Sequence, residues 1–290
     1  MTAMQPRFSR RSIAIAVVLG SVASPAIGVY AALSTRALDA AKAIPTEQSG
    51  DAEKIARIAL VIGNGHYPDA DAPLTQTIND ARALMAALRR DRFEVDIVED
   101  ASGDDMHRAI DRLKSKIRPD SVVMLFFGGY GIQVGRESYM IPVDAAIWKE
   151  SDVRREGLGI EAVLDVMKEQ GARARLVVID ASRRNPYERR FRTFSRGLAP
   201  INASDNALIL TSASPGKVAD DSKGPHSVLM AELLNNLNTQ ATGAETVFNK
   251  TRVAIASSSD GEQVPSVSSS LSADVQLVMD TDRSAEPAGN

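Results

Sequence analysis

The chain has 290 residues, of which 44% are hydrophobic and 24% charged, with a net charge of −3; this composition suits a soluble globular protein with one large domain or two small ones. Nothing in this slightly acidic balance suggests a general nucleic-acid binder. The absence of cysteine excludes disulfides, thiolate metal sites and any cysteine nucleophile.

Residues 1–31 read as an export signal: Arg7, Arg10 and Arg11 precede an uncharged run from Ser12 to Thr35, the order of a charged n-region and an apolar h-region. Ser9-Arg10-Arg11-Ser12-Ile13 is similar to a twin-arginine signal. Ser24 with Ala26, or Val29 with Ala31, offers a cleavage site. The run is also long enough to span a bilayer. The expected location is therefore periplasmic or secreted after cleavage, or anchored to the inner membrane without it. Residues 32–56 read as a linker, Ala-rich and then interrupted by Pro45 and Gly50.

Arg57 to Asn64 is a continuous aliphatic run and predicts a buried strand. Asp80 to Arg90 places Ala81, Leu84, Met85 and Leu88 on one helical face, Phe93 to Val98 alternates as a strand, and Asp104 to Ile117 is a second amphipathic helix. Val122 to Phe127 and Leu176 to Ile179 are unbroken apolar strands, the pattern of a parallel sheet covered on both faces. Ile160 to Glu169, Ser227 to Leu237 and Glu245 to Ala256 predict helices, and Ala207 to Thr211 a further buried strand. The stretch from Val264 to Met279 ends in alternating Val275, Leu277 and Met279, expected to form an edge strand; residues 281–290 read as a disordered tail. The alternation of strands and helices predicts an α/β/α sandwich with a mostly parallel central sheet.

Two strands end abruptly in polar or glycine-rich sequence. Ile179 is followed by Asp180-Ala181-Ser182-Arg183, and Phe127 by Gly128-Gly129-Tyr130-Gly131. Ligands of open parallel sheets sit beyond the carboxyl ends of strands, and three glycines around one large residue suggest backbone closely approaching a ligand.

These two ends resemble the catalytic core of the caspase-like cysteine peptidases, which carry Gly-His-Gly after one strand and Asp-Ala-Cys-Arg after the next. Ile58 to Asn64, Asn79-Asp80-Ala81-Arg82, Tyr139 to Asp144 and Arg184-Asn185-Pro186 extend the resemblance over roughly Arg57 to Leu277. It implies the caspase-like three-layer fold over residues 57–280 and puts Tyr130 and Ser182 at the two dyad positions. It also implies an oxyanion hole from the backbone N–H groups of Gly131 and Ser182, and a substrate pocket for basic side chains from Asp80 and Asp180.

A hydroxyl such as that of Ser182 attacks only with a general base within about 3 Å, and a phenol with a pKa near 10 is a poor base at neutral pH. Losing a general base costs about 10² to 10⁴ in rate. Backbone donors and pocket carboxylates survive such changes. One reading is therefore an inactive pseudo-peptidase that binds basic peptide or protein segments, or pairs with an active caspase-like homologue. The alternative is a serine-dependent hydrolase in which His66, oriented by Asp69 or Asp71, serves Ser182. His107 reads as a surface residue and His226 as a flank of a helix cap at Ser227. Three scattered histidines have no metal-ligand spacing, and no cofactor is expected. Six arginines and one acid between Arg183 and Arg196 read as a solvated loop or an anion- or partner-binding one.

Overall fold

The computed structural model describes residues 55–68, 73–191, 197–219, 224–238 and 242–278. The export signal, most of the linker, Asp69, Asp71, Arg192, Arg196, Met279 and the tail lie outside them.

The chain opens with β1 (Arg57–Gly63), α1 (Thr77–Arg90), β2 (Glu94–Glu99), α2 (Gly103–Lys116) and β3 (Val122–Gly128). Next come β4 (Gly131–Val134), β5 (Glu137–Met140), α3 (Glu150–Glu156), β6 (Leu158–Gly159), α4 (Ile160–Glu169) and β7 (Ala174–Asp180). The last third holds β8 (Ala207–Thr211), α5 (Val228–Leu237), β9 (Thr242–Gly243), α6 (Ala244–Ser258), β10 (Ser266–Ser269) and β11 (Gln276–Val278).

Six strands form the central sheet in the order β10-β8-β7-β3-β1-β2. All neighbours are parallel except β10, which runs antiparallel to β8. Every residue of β3, β7 and β8 is buried, because successive side chains enter opposite cores. Ala59, Val61, Met124, Phe126, Leu176 and Val178 pack with α1, α5 and α6, whereas Ile58, Leu60, Val123, Leu125, Val177 and Ile179 pack with α2 and α4. That is the three-layer α/β/α sandwich expected from the sequence. Burying six such aliphatic side chains stabilises a layer by about 10 kcal/mol or more before chain entropy is counted.

Two local expectations change. The edge of the main sheet is the serine-rich β10, while β11 pairs with β9 in a separate two-stranded ribbon. Leu277 and Val278 belong to the core beneath α6, and that burial draws β11 away from the edge. The stretch between β3 and α4, for which the sequence predicted no element, forms a three-stranded sheet in the order β4-β5-β6, plus α3. Ile132, Val134, Tyr139 and Ile141 there build a third apolar cluster with Tyr67, Tyr130 and Tyr187. This small sheet walls the carboxyl edge of the main one. Among the described residues no helix is long and apolar enough to cross a membrane.

Candidate functional site

The register of the central strands sets the site. Gly63 pairs with Gly128 and Gly128 with Asp180, so β1, β3 and β7 end level and Asp180, Ser182 and Tyr130 leave the sheet along one edge.

Ser182 is fully buried, and its Oγ makes no hydrogen bond among the described residues. Its N–H donates to Ser212 Oγ at 3.3 Å, and its carbonyl accepts from the Ala219 N–H at 2.7 Å. The Gly131 N–H donates to the Ala181 carbonyl at 3.1 Å. Both N–H groups that the resemblance assigns to an oxyanion hole are thus directed at protein acceptors. An oxyanion hole acts only through donors aimed at the developing charge, so substrate would have to displace both contacts.

Tyr130 is 8% exposed and packs edge-on against Tyr67, with ring centroids 4.8 Å apart. Its N–H donates to the Tyr67 hydroxyl at 3.1 Å, and that hydroxyl donates to the Ile141 carbonyl at 2.9 Å. Burial pushes the Tyr67 phenol up from its ordinary pKa, so it stays a proton donor. The flanking glycines are required by the protein itself. A Cβ at Gly129 would lie 2.6 Å from the Tyr67 hydroxyl, and one at Gly131 would lie 2.6 Å from Leu198 Cδ2 and 2.9 Å from the Ala181 carbonyl. The close approach that these glycines permit is therefore made by Tyr67 and Leu198, where the sequence suggested a ligand.

Asp80 and Asp180 come together. Asp80 projects from the first turn of α1 and is fully buried. It accepts from His226 Nδ1 at 2.7 Å and from the Ser227 N–H at 3.2 Å, linking α1 to the start of α5. Burial and then the charge of Asp180 raise its pKa to about 6, against the opposing effect of His226 and Ser227. Asp180 is 2% exposed; its Oδ1 lies 3.5 Å from Arg183 Nη1, and its Oδ2 makes no hydrogen bond among the described residues. Arg183 is not a surface loop residue. It is buried, and its Nη1 donates to the carbonyls of Gly129 and Asp180, tying the two strand ends. Asn185 is buried nearby in sequence, with its Nδ2 also unbonded.

His66 is held elsewhere. Its side chain is 73% exposed, and Nδ1 contacts Asp100 Oδ2 at 2.5 Å. Asp100 Oδ1 accepts from the backbone N–H groups of Gly65 and His66 at 2.8 and 2.9 Å. Asp100 follows β2, and β1 and β3 stand between it and β7, which separates the two strand ends by about 14 Å at ordinary strand spacing. The structure joins His66 to Asp100 and does not join it to Ser182. His107 is exposed on α2, with Nδ1 2.7 Å from the Gly103 carbonyl. The described residues contain no cluster of three metal-ligating side chains.

Sequence reasoning did not find Asp100 as the partner of His66 or His226 as the partner of Asp80. The first was open to inference, because parallel β1 and β2 must end side by side. The second carried no signal, with the partners 146 positions apart in sequence.

A family model for the Caspase domain matches residues 56–276, and the chain belongs to that family. It is similar to the human mucosa-associated lymphoid tissue lymphoma translocation protein 1, with 29% identity over 137 residues, 46% of this chain and 16% of that protein. It is similar also to the mouse homolog, with 29% identity over 147 residues, 49% of this chain and 17% of the other. The matched part is about a sixth of the length of these relatives.

Proposed function

We propose that this caspase-family domain is a pseudo-peptidase: it binds a basic segment of a partner protein, or of an active homologue, and does not cut it. The observation that carries the reading is the buried pair Asp80 and Asp180, with Asp180 Oδ2 making no hydrogen bond among the described residues. A carboxylate out of water without full compensation costs several kcal/mol. An Arg or Lys side chain supplies what is missing through charge-assisted hydrogen bonds, and its charge relieves the repulsion between the two acids.

The absence of turnover follows from the chemistry at the dyad positions. Tyr130 supports its surroundings as a packed ring, and among the described residues no base is hydrogen-bonded to Ser182 Oγ. A neutral hydroxyl without a base is a poor nucleophile. The serine-hydrolase alternative loses support, because the imidazole it requires is oriented by Asp100 at an exposed corner.

The test has two arms. Arg-containing peptides titrated into the full chain should give a saturable isotherm, weakened at least about tenfold by Asp80→Asn or Asp180→Asn; a flat isotherm removes the ligand from the proposal. Fluorogenic peptides ending in Arg or Lys should remain uncut by the parent. Hydrolysis that disappears in Ser182→Ala would overturn the pseudo-peptidase reading. Cleavage gained by Tyr130→His with Ser182→Cys would support it by locating the defect in the dyad alone.

A further inference from the structure

Trp148 is the chain's one tryptophan and is 67% exposed, yet the loop that carries it is fixed. Ile147 before it is fully buried. The buried Asp152 carboxylate accepts from the backbone N–H groups of Trp148 and Lys149, both at 3.1 Å. The Arg190 guanidinium lies over the indole at 4.6 Å from its centroid, 5.4 Å from the Tyr187 ring, and donates to the Ile147 carbonyl at 2.7 Å. Arg190 closes a short 3-10 turn, Glu188–Arg190. That turn is pinned by the Tyr187 N–H on Asn185 Oδ1 at 2.9 Å and by the Arg190 N–H on the Tyr187 carbonyl at 2.8 Å.

A large apolar ring held toward solvent on rigid backbone, with a cation stacked on it, has the make-up of a binding hot spot. Its chain neighbours fix the sign of what binds. Lys149, after Trp148, and Arg189, before Arg190, are both exposed, and neither forms an ion pair among the described residues. Arg184 on the same segment is instead tied to Glu188 at 2.5 Å.

We infer that Trp148, Lys149, Arg189 and Arg190 form a docking surface for an acidic segment of a partner protein. The surface shares no residue with the Asp80–Asp180 pair and is opposite to it in charge preference. Charge complementarity selects the occupant. The exposed ammonium of Lys149 and guanidinium of Arg189 donate to a carboxylate, and the exposed indole takes an apolar side chain beside that acid. A nucleic-acid strand fits less well, because among the described residues no ladder of exposed aromatics accompanies Trp148.

The test uses the full chain and a fluorescein-labelled peptide of glutamates with one central leucine. Anisotropy should saturate and weaken with salt, and because Trp148 is the sole tryptophan its emission should shift in step. Arg189→Glu and Lys149→Glu, both at exposed positions without ion pairs, should each weaken binding about fivefold, and Trp148→Ala about tenfold. The inference fails if no saturation is seen or if those two charge reversals leave affinity unchanged. It fails equally if an oligothymidylate or phosphatidylglycerol vesicles bind as tightly as the peptide, since the surface would then read phosphate or lipid. Neither the probe nor these variants involve Asp80 or Asp180, so a flat isotherm for basic peptides leaves this result readable.

Discussion

Two polar clusters share the carboxyl edge of the sheet, and they are built on opposite terms. At the end of β7, Asp180, Ser182 and Asn185 are nearly or fully buried, and each keeps a polar atom without a hydrogen bond among the described residues. At the ends of β1 and β2, His66 and Asp100 lie near solvent, and Asp100 satisfies two backbone N–H groups and one imidazole nitrogen. Buried polar groups are overwhelmingly paired in folded proteins, so a concentration of unpaired ones needs an explanation, and the proposed basic ligand supplies one. The exposed cluster, fully paired, is explained by closing its own loop. A histidine beside an aspartate looks more catalytic than a lone buried serine, and here the physical cost points the other way.

The largest effect expected from this contrast is steric. Gly131→Ala drives a Cβ to within 2.6 Å of Leu198 Cδ2 and 2.9 Å of the Ala181 carbonyl, and overpacking of that kind should lower stability by about 3 kcal/mol in urea unfolding. An unchanged midpoint would mean that the buried end is looser than its packing indicates.

Second in size is a pH dependence. Asp80 has its pKa raised to about 6, by burial first and the Asp180 charge second. A carboxyl raised in the folded state favours its protonated form there. The stability this contributes is complete below the ordinary carboxylate range, near 4, and is lost as pH rises through about 6. Relative to Asp80→Asn, which retains His226, the parent should lose about 2–3 kcal/mol between pH 4 and pH 7. Binding of Arg peptides runs in the opposite direction, since it needs the carboxylate: it should tighten between pH 5 and pH 7. Two parallel pH curves for parent and variant would refute the raised pKa.

The framework of the fold was legible because continuous aliphatic runs such as Val122 to Phe127 have one economical home, a strand buried on both faces. Helices with one apolar face were equally plain, and α4 spans Ile160–Glu169 as expected. The small sheet was not legible: β4 and β5 have four residues each and turn through Gly135, whose φ is +66°. A period of two over so short a stretch carries little information. Placing Tyr130, Ser182 and Asp180 on the carboxyl edge followed from strand polarity, whereas Asp80 was reached only through the family resemblance. Their contacts did not, because the partner of Asp80 is set by how α5 meets α1. Asp69 and Asp71 were closest to His66 in sequence, but parallel pairing of β1 with β2 makes Asp100 its neighbour in space.

The smaller effects separate the two clusters most cleanly. Ser182→Ala removes a buried hydroxyl without a partner among the described residues, so it relieves an unmet desolvation cost and should raise stability by about 1 kcal/mol. A loss of similar size would mean that Ser182 Oγ is held, and would return it to consideration as a working nucleophile. His66→Ala removes an exposed ring whose carboxylate partner still has two backbone donors. Its effect on stability should stay within about 0.5 kcal/mol, and the Arg-peptide isotherm should not move. If His66→Ala instead weakened that isotherm, the exposed corner would have to take part in binding, and the division between a ligand-directed end and a self-satisfied end would fail at its simplest point.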